Sequence, residues 1–452
     1  MLLRLKNNYF TKTYDHIILL KLFDLSMRFN GFPIKKAQHL LKSIQSIPEA
    51  EYSTYLSDQK KTILTHHLNN TPFYKLLAKN IDSSDWSSVP IMTKRDLQQP
   101  LKNRLSRSYS LNNVYINKTS GSSGDPFTFA KDKFCHALTW AIFEEWYGWH
   151  TVFNGKQGRF YGIPLDKKSY YKERVKDLAL NRYRFNVFDL TEGAFDNWIK
   201  KFNNKRFIYI TGYTSVLVAF AQHLLSKQIV LSKVCPTLQA CLTTSEMCSE
   251  TEREQMRKAF NIAIINEYGA AEFGLIALEN DNHWNLNNIN LYIEVLDDKG
   301  NPVPEGQSGR IIITDLYNKA HPFIRYEIGD VGSIKKNNQK KLLLDHLVGR
   351  KEDYIKLPSG KLSPGLSFYY VTKSIMDSNC SIKEIKIKQH AIDIFEVEYV
   401  SKVEMNNTQK KKVKTALNKY LEKGVRVYFS KKPQLERTTK GKLKQFTSYI
   451  KS

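Results

Sequence analysis

From residue 207 to residue 265 the chain alternates short apolar runs with amphipathic ones, and that rhythm admits few architectures. Phe207-Ile208-Tyr209-Ile210 reads as a strand broken at Thr211-Gly212, followed by a helix with Val216, Phe220 and Leu224 on one face. Thr237 to Leu242 reads as a second strand, Ser245 to Phe260 as a charged helix, and Ile262 to Ile265 as a third strand. Such a succession builds a mostly parallel sheet with helices packed against it. Ligands on these sheets sit at the carboxyl ends of the strands. Thr243-Thr244-Ser245-Glu246 and the turn Asn266-Glu267-Tyr268-Gly269 fall at two such ends.

The flanking regions have other patterns. Residues 34–80 read as helical, with Leu40, Leu41, Ile44 and Ile47 at helical spacing. Thr93 reads as the cap of a helix, and the aromatic stripe from Phe134 to Trp149 as helix core. After residue 290 the chain turns to strands, Tyr292 to Leu296 and Ile311 to Thr314. A hairpin (Ile385/Ile387 and Ile394 to Val400), a helix closed by Gly424 and a strand Val425 to Phe429 end it as a separate α+β unit. The expected fold is α/β: a large N-terminal domain of mixed sheets with packed helices (1–348, helical over 1–110) and a small C-terminal domain (354–452). The change of style puts the boundary at Gly349 to Asp353.

A chain of 452 residues with 41% hydrophobic content can bury a sizeable core and reads as soluble and globular. Its five cysteines (Cys135, Cys235, Cys241, Cys248, Cys380) form no CxxC pair, which argues against a disulfide framework or a Cys-rich zinc site. The early apolar run Ile17-Ile18-Leu19-Leu20 is cut by Lys21 and Asp24, too short to span a bilayer, so a reducing cytoplasmic location is expected. Net charge is +25, and residues 401–452 hold 15 Lys or Arg against 3 Asp or Glu. A basic face attracts polyanions such as ATP, coenzyme A, nucleic acid or anionic lipid, while a lysine-rich compositional habit gives the same count.

Thr119-Ser120-Gly121-Ser122-Ser123-Gly124-Asp125-Pro126 is a hydroxyl- and glycine-rich run whose N–H and O–H groups suit phosphate oxygens, although no Gly-Lys-Ser/Thr follows. Downstream, Tyr268 could flank a flat base and Glu272 could hold Mg²⁺ on a triphosphate. Asp330, after Gly329, could accept from a ribose diol, and Arg350 could reach phosphate or ribose. Lys442 lies on a late basic loop, where a lysine can neutralise charge developing on phosphate. Singly, each is an ordinary turn or surface charge.

In this order the blocks resemble the adenylate-forming (acyl-adenylate) enzyme superfamily. Thr71-Pro72-Phe73-Tyr74, Val89-Pro90-Ile91-Met92-Thr93-Lys94, Gly212-Tyr213-Thr214-Ser215 and Thr244-Ser245-Glu246 are similar to the phenylacetate–CoA ligase-like branch that includes capsular-polysaccharide-biosynthesis proteins. The resemblance spans roughly residues 70–445. It implies that Thr119, Ser120, Gly121, Ser122, Ser123 and Gly124 embrace the ATP phosphates, and that Tyr268 and Gly269 border the adenine. It further implies Glu272 on Mg²⁺, Asp330 on the ribose with Arg350 assisting, and Glu246 near the nucleotide. Glu352 and Asp353 would form the hinge of a mobile C-terminal lid, and Lys442 would bridge the carboxylate and the α-phosphate.

The implied activity is ATP-dependent activation of a small-molecule carboxylate with pyrophosphate release, then acyl transfer to a thiol, amine or sugar in cell-surface polysaccharide biosynthesis. An acyl- or aryl-CoA ligase using coenzyme A is the alternative, and a non-catalytic nucleotide binder a lower one. Nucleic acid is not an expected partner on this reading, and a peripheral anionic-surface contact stays open. The sequence departs from the family where Pro126 is flanked by Asp125 and Phe127 rather than by a lysine, so phosphate binding would lean on Lys118 and hydroxyls. His321-Pro322 replaces the usual Met-Pro, and residues 331–348 contain no Cys, so no zinc is expected there.

Overall fold

The computed structural model describes residues 27–119, 127–153, 155–161, 167–187, 189–337, 342–350, 355–359, 362–363, 382–420, 422–437, 443 and 446–450. Strands β1 (Tyr115–Lys118) and β2 (Thr128–Lys131) form an antiparallel hairpin of their own. An 11-stranded sheet takes in β3 (Gln157–Phe160), β4 (Arg182–Arg184), β5 (Tyr209–Tyr213), β6 (Ala240–Thr244), β7 (Ala263–Ala270), β8 (Gly274–Asn280), β9 (His283–Leu286), β10 (Leu291–Leu296), β11 (Gly309–Asp315), β12 (Tyr326–Lys336) and β13 (Leu342–Arg350). Its order is β10-β11-β12-β13-β9-β8-β7-β6-β5-β3-β4. The neighbours from β4 through β3, β5 and β6 to β7 pair in parallel, and beyond β7 every described pairing is antiparallel.

The parallel half is covered on both faces, as such sheets require. Helices Glu192–Asn204, Thr214–Ser226 and Glu250–Phe260 close one face over Phe160, Ile210, Cys241 and Ile264. Helices Ile34–Gln45 and Lys133–Gly148 close the other over Tyr209, Leu242 and Ile265. Neighbouring residues of β6 and β7 thus enter different cores, as strand alternation demands. The aromatic stripe is helix core, with Trp146 fully buried. Strands β5 and β7 run further than their apolar runs. Thr211-Gly212 and Asn266–Gly269 are strand rather than breaks or turns, because β3 and β6 pair with the first on both sides and β6 or β8 pairs with each residue of the second. Gly212 suits its place because a Cβ there would meet the Phe160 Cβ at 2.4 Å.

The charged helix starts at Glu250, not Ser245, because Ser249 and Glu252 form a reciprocal capping box. Thr93 instead bonds Asp96 ahead of a single 3₁₀ turn, Asp96–Gln98. After the two-stranded pair β14 (Ile355–Lys356) and β15 (Leu362–Ser363), a four-stranded sheet with its own core joins β16 (Ile382–Ala391), β17 (Ile394–Ser401), β18 (Arg426–Lys431) and β19 (Phe446–Ser448). The expected hairpin is β16–β17, and β18 adds in parallel to β17 after the helix Asn407–Tyr420.

One buried ion pair locks helix Glu250–Phe260 under the sheet. Arg253 forks onto Glu279 of β8 at 2.7 and 2.8 Å, and Glu279 also accepts from the Asn266 N–H at 2.9 Å. Arg253→Ala should leave that carboxylate buried and unpaired, lowering the stability measured by denaturant unfolding by about 3–5 kcal/mol. Replacing Arg253 and Glu279 together with leucines should cost much less.

Candidate active site

The parallel strands deliver their carboxyl ends to one region. β5 ends at Tyr213, where helix Thr214–Ser226 begins, and β6 ends at Thr244. Ser245 follows in the left-handed region (φ 67°), and Glu246 comes next. The Glu246 carboxylate accepts the Ser215 N–H at 2.7 Å, and its main-chain carbonyl accepts from Thr214 Oγ1 at 3.2 Å. A carboxylate at a helix start satisfies an orphan donor and lies favourably in the helix field. Its other oxygen accepts the N–H of Leu443 at 3.0 Å.

Tyr268 and Asp330, 62 residues apart, meet directly: the Tyr268 hydroxyl donates to Asp330 Oδ2 at 2.7 Å, and both residues are buried. The β12–β13 register sets Asp330 opposite Arg350. Gly329, at φ 88°, supplies the left-handed backbone just before Asp330. Gly269 sits at a register shift between β7 and β8, where a Cβ would lie 2.8 Å from the Gly274 carbonyl oxygen. Glu272 is buried in the turn between those strands. Three of the sequence's separate blocks therefore gather around β7, β12 and β13.

Arg325, in the block leading to Asp330, is structural. At φ 46°, it pairs with Glu294 at 3.3 Å and donates to the carbonyls of Ser87 and Val89 at 3.0 and 2.7 Å. Its own carbonyl accepts the Met92 N–H at 2.9 Å, so it fixes the Val89–Met92 segment against the strand that carries Asp330.

The opposite face of β7 holds a group the sequence reading gave no role. The Tyr147 hydroxyl donates to the Glu267 carboxylate, and Arg159 stacks its guanidinium 4.6 Å from the Tyr161 ring nearby. Glu267 keeps some residue exposure, yet its carboxyl lies deep enough that burial raises its pKa; hydrogen bonds from Tyr147 and Thr244 and the charge of Arg159 oppose that rise. Arg159 Nε is buried without a hydrogen-bond partner among the described residues. The signal for Glu267 was strand alternation beside Tyr268, hidden while Asn266–Gly269 read as a turn.

The hydroxyl- and glycine-rich run begins at Thr119, the residue that follows β1 in the β1–β2 hairpin. Thr119 closes it twice: its N–H donates to the Phe127 carbonyl, and its Oγ1 accepts the Phe127 N–H, both at 3.0 Å. Lys118 is exposed at the end of β1. Ser120, Gly121, Ser122, Ser123, Gly124 and Asp125, the expected hinge residues Glu352 and Asp353, and Lys442 lie outside the described residues, as does the side chain of Arg350. Among the described residues no group of three or more His, Cys, Asp or Glu could hold a metal ion.

A raised carboxyl pKa means that the folded chain keeps a proton the unfolded chain releases near pH 4.5. That contribution to stability is complete below the unfolded value and declines as pH rises towards the folded one. Glu267→Gln, which keeps the shape and removes the titration, should therefore melt above wild type at pH 7 and converge with it near pH 4, as read by thermal unfolding across pH.

No protein-family model matches the chain. Protein CapK of Staphylococcus aureus is 22% identical over 336 residues, 70% of this chain and 72% of that protein. Among solved structures, 2-hydroxyisobutyryl-CoA ligase in its postadenylation state aligns with a TM-score of 0.70 at 14% identity, over 89% of this chain and 90% of that one. The same ligase in its thioesterification state aligns at 0.56, also at 14% identity, over 89% and 91%. The amide bond synthetase McbA from Marinactinospora thermotolerans aligns at 0.52 and 14% identity, over 73% and 68%. The chain has the fold of the adenylate-forming ligases, with their large α/β body and C-terminal domain.

Proposed function

We propose that this chain is an ATP-dependent ligase that activates a small carboxylate as its acyl-adenylate and passes the acyl group to an acceptor during capsule or cell-surface polysaccharide assembly. The hydrogen bond from Tyr268 to Asp330 carries the reading, because it joins two separated blocks at the carboxyl end of the parallel strands, with Arg350 in register. In this role Asp330 accepts from the ribose hydroxyls, Tyr268 and Gly269 border the base, and the loop from Thr119 to Gly124 receives the phosphates. Glu272 is a buried hard oxygen donor, and Mg²⁺ is commonly held by one or two carboxylates plus substrate phosphates, so the residues fit that ion. When bound, the ion would neutralise phosphate charge.

The carboxylate oxygen attacks the α-phosphorus, the bond to the bridging oxygen breaks, and pyrophosphate leaves. Lys442 is assigned the neutralisation of the charge that builds there, an effect of position and electrostatics. The acceptor then attacks the acyl carbon and AMP departs. Residues 349–353 would be the hinge and 354–452 the lid. The polysaccharide setting is supported by the match to Protein CapK. The likeness to 2-hydroxyisobutyryl-CoA ligase favours a second reading, in which coenzyme A is the acceptor.

Pyrophosphate–ATP exchange across a panel of carboxylic acids tests the reading. Exchange with at least one acid, reduced about 100-fold or more in Lys442→Ala, is the expected result. No exchange with any acid would overturn it. With that acid in hand, AMP release on adding coenzyme A or an amino-sugar nucleotide separates the two acceptors. Tyr268→Phe deletes the donor to Asp330 and should raise the KM for ATP about tenfold in the same assay, the worth of one hydrogen bond to a charged group.

A further inference from the structure

Glu246 divides its carboxylate between two parts of the molecule. Oε2 accepts the Ser215 N–H of the large body at 2.7 Å, and Oε1 accepts the Leu443 N–H of the C-terminal unit at 3.0 Å. A second bond crosses beside it: Arg437 Nη1 donates to Ser215 Oγ at 3.0 Å. Arg437 travels with the C-terminal unit, since its guanidinium also pairs with Glu384 of β16. Leu443 is the residue that follows Lys442.

We infer that Glu246 is a positioning residue, a latch that registers the C-terminal unit at Leu443 against the large body in one orientation of that unit and releases it in any other. This rests on the adenylation reading for its consequence in catalysis, and on these contacts alone for its existence. The acceptor is prepared before docking. Ser245 is held in a backbone conformation uncommon for a residue with a side chain, and the observed outlier sits where placement of the next residue matters. When the unit departs, the carboxylate keeps the Ser215 N–H and the field of the helix start, so it is not left bare. Among the described residues, undocking breaks the hydrogen bonds Leu443–Glu246 and Arg437–Ser215. The chain's overall arrangement is nearer the postadenylation form of 2-hydroxyisobutyryl-CoA ligase than its thioesterification form. The latch belongs to that first arrangement.

The test compares wild type, Glu246→Ala and Ser215→Ala as full-length chains. Hydrogen–deuterium exchange of the ligand-free protein reads the latch directly. The peptide containing Leu443 should exchange at least about tenfold faster in Glu246→Ala, the loss expected for one hydrogen bond to a charged group. Ser215→Ala, which removes only the hydroxyl that Arg437 uses, should speed it less. Unchanged exchange at Leu443 in a folded Glu246→Ala overturns the proposal; if that variant does not fold, unchanged exchange in Ser215→Ala does so. In pyrophosphate–ATP exchange, Glu246→Ala should lower kcat at least about tenfold with the KM for ATP unchanged, again one charged hydrogen bond. A raised KM with kcat retained would make Glu246 a nucleotide ligand and overturn the latch. The deuterium measurement needs no substrate. A wild-type chain that exchanges pyrophosphate with no acid sinks the functional reading, and the latch is then decided at Leu443 alone.

Discussion

Strand β7 is the constraint on which the rest of the molecule depends. Along one edge it runs parallel to β6, and along the other antiparallel to β8, so it joins the two halves of the large sheet. Being paired on both sides, it carries polar residues as far as Ala270 without ending. Its alternation puts Tyr268 towards Asp330 and Glu267 towards Tyr147, on opposite faces. A slip of one residue would exchange those faces and dismantle both groups at once. The forked pair Arg253–Glu279 guards against that slip, because Glu279 also holds the Asn266 N–H.

The parallel half was legible because its apolar runs and amphipathic helices carry different periods, and the order of the motif blocks was legible as a likeness. What stayed hidden was set by packing, capping and pairing partners that the apolar periodicity does not name. Gly212 belongs to a strand because Phe160 packs against it, and Gly269 because the Gly274 backbone does. The start of the charged helix was set by Ser249 and Glu252, whose spacing was present but outweighed by the earlier Ser245. β18 joins in parallel to β17 through a helix, which no local pattern announces.

Site residues divide in the same way. Tyr268, Asp330, Gly269 and Glu272 stood out by residue type beside a glycine or a strand end. The Tyr268–Asp330 bond did not, since 62 residues separate its partners. Arg325 lay inside a conspicuous block, yet its work is to tie Val89–Met92 to the sheet. The Glu246–Leu443 contact spans 197 residues and joins two units that the sequence could only place in order.

The β1–β2 hairpin stands outside the 11-stranded sheet, yet it is anchored in a core that the two share. Phe127 lies 6.2 Å from the Tyr326 ring and Phe129 6.0 Å from Phe323, within the same buried cluster as Tyr268. Tyr268 and the β1–β2 hairpin are thus parts of one stiff frame, since close-packed interiors transmit displacement. A nucleotide spanning them would be gripped at both ends by a body with little freedom to relax. On the proposed reading, the pace of product departure would then be governed by how often the C-terminal unit unclamps, with the grip itself staying constant through the cycle.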